Sequence, residues 1–502
     1  MSTEQLERQR VAPGRDPAPD RRRWVWLGVG AVLWLFAVHG RFDVPVAAWL
    51  FPVFLLRFTR AGRPAAALPA VWLASVAAGV FWAVETAVPM TATTLVGLVA
   101  LSTVTALPYA LDRLVAPRAR RVTALLLFPA AVAATEFLMT AISPFGAAYG
   151  VLAPTQHGSL ALLQLTGVTG LYGVAFLVGW GATVANDVWE RSVDRRVVGA
   201  YGLVLALVLI GGGAVLATPA PGGTVRVAGI SPDTAVTEEL RDLIGEEFTP
   251  RGVVDRDPAQ VRPAFEEVTA NLFARTREAA RAGAEIVLWS EQAANVLAAD
   301  EEAFLAEASR TAREERVYLQ VAVYLYLPQA PHAANRTHLF DPTGTRVWTY
   351  DKARPIPGLE GYPGGDGVVP VVDTPHGRLA TLTCFDADFP ALARVDADIL
   401  LVPARDWAEV GAVHSQKAAL RAVENGYSVV RQAEFGTSGA VDQRGRVLTA
   451  HDHARSDTHV VHSDVPTRRV TTVHGVVGDL FAWLCTAATV LMAGLARRRS
   501  RT

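Results

Sequence analysis

The sequence predicts a polytopic α-helical membrane bundle of about eight spans, joined to one α/β domain outside the membrane. Three observations carry that expectation. The 502 residues are 51% hydrophobic and 19% charged, with a mean hydropathy of +0.25, too apolar for an ordinary soluble chain and too charged for a bundle alone. Apolar windows of spanning character are confined to the stretches before residue 217 and after residue 475. Arginines recur in alternate connections between those windows.

Residues 1–23 are polar and rich in Arg, Pro and Asp, which reads as a disordered cytoplasmic tail. Apolar windows follow at 24–39, 44–58, 66–85, 91–111, 122–142, 167–186 and 197–216, a seven-span membrane domain over 24–216. An eighth lies near 476–495 and sets the last segment at 476–496. A span takes about 20 apolar residues to cross roughly 30 Å of hydrocarbon. The first two windows are shorter than that, and the second holds Pro45 and Pro52. Arg21 to Arg23, then Arg57, Arg60 and Arg63, then Arg113, Arg118, Arg120 and Arg121, then Arg191, Arg195 and Arg196 occupy every second connection, and Arg497, Arg498, Arg499 and Arg501 close the series. Arg41 is the exception. Basic connections stay in the cytoplasm, so the amino terminus is expected inside, residue 217 outside and the carboxyl terminus inside. Glu85 and Glu136 fall in or near apolar spans toward the outer side. They are expected either at a substrate entrance or in helix-bundling contacts.

A Pro/Gly linker at 217–223 precedes a domain over 224–466 in which short apolar runs alternate with helical windows. Strands are expected at Val225–Ile230, Glu285–Trp289, Tyr318–Leu327, Thr337–Phe340, Arg346–Tyr350, Leu379–Cys384, Ile399–Pro403, Ser428–Gln432 and Gly439–Val441. Helices are expected near 258–283, 301–314 and 413–425. Mixed strands with interspersed helices give an α/β layered domain with two sheets.

The chemistry is concentrated in this domain. Of 47 basic residues only Lys352 and Lys417 are lysines, and Lys352 stands between Glu291 and Cys384 in the chain. An ammonium can give up its proton where a guanidinium cannot. Cys384 has one possible partner, Cys485, which sits in the last apolar run, so no disulfide is expected. Each of Glu291, Lys352 and Cys384 follows an expected strand, where a sheet can hold side chains in fixed geometry. A thiol flanked by a carboxylate and an amine reads as a nucleophile with its base (Glu291) and an anion-stabilising cation (Lys352). The amide of Phe385, at a strand-to-turn junction, would serve the oxyanion. That set supports acyl transfer through a thioester. Taken singly, each residue has a plainer reading: an inert buried cysteine, a solvated cap, a surface charge. Two cysteines and scattered histidines give no metal site, no cofactor is implied, and a net charge of −1 without a basic stripe excludes nucleic acid.

The stretches Ala284-Glu285-Ile286-Val287-Leu288-Trp289-Ser290-Glu291, Tyr350-Asp351-Lys352 and Leu382-Thr383-Cys384-Phe385-Asp386 resemble the nitrilase (carbon–nitrogen hydrolase) superfamily. Arg421-Ala422-Val423-Glu424-Asn425 and Gly436-Thr437-Ser438-Gly439 add to the match. The resemblance implies an αββα sandwich and a catalytic Glu291, Lys352 and Cys384. With the apolar spans, residues 24 to 496 resemble the bacterial apolipoprotein N-acyltransferases, and Gln156, Gln164 and Leu165 to Gly170 resemble their polar loop and following span. Glu360, eight residues after Lys352, matches a second glutamate of that family. The resemblance implies an enzyme of the bacterial cytoplasmic membrane with its catalytic domain on the outer face. Phospholipid would be the acyl donor, and the S-diacylglyceryl cysteine of an apolipoprotein the acceptor.

The chain departs from the family at Asp386, where a glutamate is usual, along Pro403 to Glu409, and along Pro355 to Pro363. These stretches would meet substrate, so Phe385, Glu360 and Asp386 are the expected substrate and oxyanion contacts. A membrane-anchored nitrilase-type amidase and a catalytically silent lipoprotein-binding module are the competing expectations. A transporter is disfavoured, because the spans lack paired broken helices and midplane polar residues.

Overall fold

The computed structural model describes residues 22–244, 249–453 and 458–499. The tail expected over 1–23 lies outside the described residues except for its last two. The first half is helical: Arg23–Leu35, Pro45–Ala61, Pro64–Glu85, Ala92–Val115, Arg121–Ile142, Tyr172–Arg191 and Arg195–Ala217, with Leu480–Arg499 returning to pack on Arg121–Ile142. Among the described residues five of these helices are long and apolar enough to cross a bilayer, or six if the bent pair Leu160–Thr169 and Tyr172–Arg191 counts as one span. Pro45 and Pro64 sit in the first turns of their helices, where a missing N–H costs nothing.

Two expected windows shift. The window 167–186 begins in the wrong place: Thr166–Thr169 is a separate turn, and the long helix starts only at Tyr172, bent by 114°. Gly170 makes the break with φ +65°, and a Cβ there would stand 2.9 Å from His474 Nε2. The amide freed at Leu171 donates to the Glu424 carboxylate of the α/β domain at 2.9 Å. The window 24–39 ends early, at Leu35, and the chain then turns through His39. Glu136 is buried in the bundle and accepts the Leu152 amide at 3.2 Å, while buried Glu85 packs on the Gly40 backbone. Both make bundling contacts.

Among the described residues the α/β domain has thirteen strands. They are β1 (Thr224–Ile230), β2 (Ile286–Trp289), β3 (Ala294–Leu297), β4 (Tyr318–Tyr326), β5 (Ala333–Phe340), β6 (Arg346–Asp351), β7 (Val371–Thr374), β8 (Gly377–Thr381), β9 (Ile399–Arg405), β10 (Ser428–Glu434), β11 (Thr437–Val441), β12 (Val447–Asp452) and β13 (Val460–Pro466). One sheet runs β13-β1-β2-β4-β5-β6 with β3 beside β4, the other β12-β11-β10-β9-β8-β7. Parallel strands occupy the middle of each sheet and antiparallel ones the edges.

Alternation of side chains makes the layers. Ile286 and Leu288 of β2 pack with Ile399 and Leu401 of β9 between the sheets. Val287 and Trp289 face outward onto Phe265, Leu272 and Phe273 of the helix Pro258–Arg281. Leu400 and Val402 face the other way, onto Ala418 and Ala422 of the helix Gly411–Asn425. The result is helix, sheet, sheet, helix. Strands β3, β7, β12 and β13 were not expected. β7 and β12 are exposed edge strands carrying no apolar alternation, and they exist through pairing with β8 and β11. The strand expected to reach Cys384 stops at Thr381.

Candidate active site

The three chain segments converge where strands end. Glu291 lies two residues beyond β2, and its amide donates to Ala404 of β9 at 3.1 Å, tying the two sheets together at that edge. Lys352 directly follows β6, and its amide donates to the Asn335 carbonyl at 2.9 Å. Cys384 opens a five-residue 3₁₀ turn, Cys384–Asp388, with φ +48°. A non-glycine residue in the left-handed region is strained by roughly 1–2 kcal/mol. The strain lifts the sulfur out of the line of the strand.

Asp386 holds that turn to the lysine segment. Its fully buried carboxylate accepts from the Tyr350 hydroxyl (2.8 Å) and from the amides of Arg354 (2.7 Å), Ala353 (3.3 Å) and Thr383 (3.1 Å). A carboxylate so enclosed and so fully engaged does not fit the expected substrate contact. The far end of the turn is fixed by the chain's other lysine. Lys417 donates to Asp388 at 3.0 Å and reaches the Ala148 carbonyl of the helical half at 3.5 Å.

Buried Glu291 and Lys352 form one charge group with half-buried Glu360. Lys352 Nζ donates to Glu291 Oε1 (2.9 Å) and Glu360 Oε1 (2.8 Å). Glu291 Oε1 also accepts from Asn335 Nδ2 (2.6 Å), and its Oε2 accepts the Arg405 amide (3.0 Å). Glu360 Oε2 accepts the Ile356 amide (2.6 Å). Burial works against the Lys352 charge, but the carboxylates of Glu291 and Glu360 outweigh it and hold the ammonium well above its ordinary pKa. One cation between two carboxylates is a group with a net negative charge.

Cys384 feels that group. Burial pushes the thiol well above its ordinary pKa, Glu291 and Asp406 add to the rise, and Lys352 and Arg431 oppose it. To act as a nucleophile, a thiol held this way would need a base. Its Sγ lies 3.7 Å from the Arg405 carbonyl. The donor atoms of Cys384, Asp406 and His414 lie within 4.8 Å of one another, a spacing a metal ion could use. The group does not fit one: Arg431 Nη2 stands 2.9 and 2.8 Å from the two Asp406 oxygens and occupies the cation's place.

Sequence reasoning missed Asn335, Asp406, His414 and Arg431. Asn335 had a signal, a polar residue in a strand with buried neighbours. Asp406 lies in a stretch marked only as a departure. Phe385 lines an apolar cavity between the two halves that is partly open to solvent. Trp82, Leu98 and Leu101 line it from the helices, and Ile356, Leu359 and Trp407 from the α/β domain. The Phe385 amide, near the start of a 3₁₀ turn, is among the N–H groups that find no acceptor within the turn.

A strained cysteine on a turn stands beside a buried carboxylate–lysine pair where the strands of two stacked sheets end. Residues 256–472 match the carbon–nitrogen hydrolase family. The chain is a homologue of the apolipoprotein N-acyltransferases. It is 27% identical over 397 residues to the Geobacter metallireducens apolipoprotein N-acyltransferase, covering 70% of this chain and 71% of that one. The Caulobacter vibrioides apolipoprotein N-acyltransferase is 25% identical over 413 residues, covering 75% and 73%. Among solved structures, an amidase from Nesterenkonia sp. superposes with a TM-score of 0.38 at 19% identity, over 49% of this chain and 92% of that one. Both acyltransferase alignments are longer than the hydrolase domain and so run into the helical half.

Proposed function

We propose that the protein transfers a fatty acyl chain from a membrane phospholipid to the N-terminal S-diacylglyceryl cysteine of apolipoproteins, through a thioester on Cys384. The observation that carries this is the extent of the likeness. A free-standing amidase would match the α/β domain alone, whereas the acyltransferase alignments also take in the apolar helices.

In the first half-reaction Glu291 takes the Cys384 proton, and the thiolate attacks the phospholipid ester carbonyl. Lys352 and the Phe385 amide face the developing oxyanion. The ester C–O bond breaks, Glu291 returns its proton to the leaving alkoxide, and a lysophospholipid departs. In the second half-reaction the acceptor amine attacks the thioester, the C–S bond breaks, and Cys384 regains a proton. Glu360 keeps Lys352 charged throughout. The cavity beside Phe385 opens next to Cys384, and its walls on the helices give the lipid-bearing substrates a lateral route from the bilayer. The α/β domain then lies on the outer face, between seven apolar segments and one.

The test is intact-mass analysis after incubation with phospholipid, beside Cys384→Ser. The expected result is a fatty-acyl adduct on the wild type alone, labile to hydroxylamine and discharged by a diacylglyceryl lipopeptide. Absence of the adduct together with hydrolysis of small amides would replace this reading with an amidase.

A further inference from the structure

The acceptor carries one proton more than Glu291 can move. An α-amino group with a pKa of about 7.7–8.0 arrives largely as the ammonium near neutral pH. It must shed two protons to become an amide nitrogen. Glu291 shuttles one proton in the first half-reaction, from thiol to alkoxide. Run in the other direction it again shuttles one, from the attacking amine to the departing thiolate. The remaining proton must leave the ammonium before attack, and it needs a second base.

We infer that His414, held by Asp406, is the base that deprotonates the acceptor ammonium. The inference rests on the acyltransferase reading above. His414 Nδ1 lies 3.0 Å from Asp406 Oδ1, and Arg431 fixes the same carboxylate from the other side at 2.8 and 2.9 Å. With Nδ1–H given to the carboxylate, the lone pair is on Nε2. One of the two ring nitrogens lies within 4.8 Å of both the Cys384 sulfur and an Asp406 carboxylate oxygen, which sets the imidazole beside the thioester. The imidazole also lines the cavity that Phe385 and Trp407 share, its ring edge-on to Trp407 at 6.1 Å. Among the described residues lining that cavity there is no carboxylate, amine or other imidazole.

The step balances without a co-reactant. The acceptor ammonium gives one proton to His414 Nε2, forming an imidazolium beside the Asp406 carboxylate and a neutral amine. The amine nitrogen bonds to the thioester carbon, the C–S bond breaks, and the second amine proton passes through Glu291 to the thiolate. The imidazolium releases its proton to water. Amide, thiol and one free proton are the products of ammonium and thioester.

Two nucleophiles separate this role from a structural one. Hydroxylamine is already neutral near pH 7 and has no ammonium proton to lose, whereas the lipopeptide amine does. Wild type and His414→Gln are loaded with phospholipid, and loss of the acyl adduct is followed by intact mass with each nucleophile. The expected result for His414→Gln is normal loading, normal discharge by hydroxylamine, and discharge by diacylglyceryl lipopeptide slowed up to about tenfold near pH 7, the slowing fading as pH rises past the amine's own pKa of about 7.7–8.0. Lipopeptide discharge at the wild-type rate would overturn the inference, as would equal slowing with both nucleophiles. A wild type that never loads would overturn the acyltransferase reading itself, and this inference with it.

Discussion

Tyr350 donates its hydroxyl to Asp386 across 2.8 Å, joining the strand that delivers Lys352 to the turn that carries Cys384. The same carboxylate accepts three backbone amides, from Thr383 on the cysteine side and from Ala353 and Arg354 on the lysine side. One side chain therefore sets the spacing of Lys352 and Cys384, which are 32 residues apart in sequence. Asp386→Asn keeps one acceptor oxygen, which can still serve Tyr350, Ala353 and Thr383, but turns an NH2 onto the Arg354 amide that Oδ1 accepted, at about 1–3 kcal/mol. Tyr350→Phe removes one donor from a carboxylate that keeps three others, at about 1 kcal/mol. The thermal midpoint in detergent is expected to fall clearly further for Asp386→Asn. Equal midpoints would show that the amides are held by something other than this carboxylate.

The strain at Cys384 has a measurable sign. With φ at +48°, any Cβ at this position is disfavoured and glycine is not. Cys384→Gly and Cys384→Ala both remove the proposed nucleophile and are expected to take up no acyl group. The glycine variant is expected to be the more stable of the two by about 1 kcal/mol, once its larger unfolded-state entropy is set against the relieved strain. An alanine variant as stable as the glycine one would mean that the turn relaxes around residue 384.

Thiol chemistry at Cys384 reports the charge of its surroundings. Burial and Glu291 raise the thiol pKa while Lys352 lowers it, and the net shift is upward. Alkylation requires the thiolate. The wild-type rate of reaction with a small alkylating reagent is thus expected to keep rising with pH beyond the ordinary thiol range of about 8.5. Glu291→Gln removes a negative charge that opposes ionisation, so its profile is expected to move to lower pH even as acyl transfer is lost. A profile displaced to higher pH would mean that Glu291 favours the thiolate, against the geometry described here.

Much of this architecture was legible in the sequence, for reasons particular to its residues. Lys352 and Cys384 stood out because lysine and cysteine are rare in this chain, and Glu291 because it ends an apolar strand. The helix Pro258–Arg281 and strands β2, β4 and β9 followed from periodicity. The bend at Gly170 did not, because apolar composition runs straight through it and the cause is a contact with His474 more than 300 residues away. Edge strands β7 and β12 were equally silent, since their pairing partners and not their own pattern make them strands. Asp406, His414 and Arg431 come from a strand end, a helix and a neighbouring strand. Only the parallel register of β9 and β10 puts them together, and no spacing along the chain encodes it.

The orientation of the α/β domain is open to direct measurement through the helix Arg195–Ala217. Its 23 residues extend about 35 Å at 1.5 Å per residue, enough for a hydrocarbon core of roughly 30 Å. Within it only Gly212 is buried, while Leu203, Leu207 and Ile210 face outward as lipid-facing side chains would. Arg191, Arg195 and Arg196 cluster at its start, which is expected to lie in the cytoplasm. Single cysteines at exposed Val193, before the helix, and at Gly223, after it, test this in a Cys384→Ser, Cys485→Ala background. A Cβ at Gly223 meets no atom within 4 Å, so the substitution disturbs nothing. A membrane-impermeant maleimide applied to intact spheroplasts is expected to label residue 223 and to reach residue 193 only after permeabilisation. The reverse pattern would put the active site in the cytoplasm, away from any lipoprotein acceptor already exported, and the proposed acceptor would have to be abandoned.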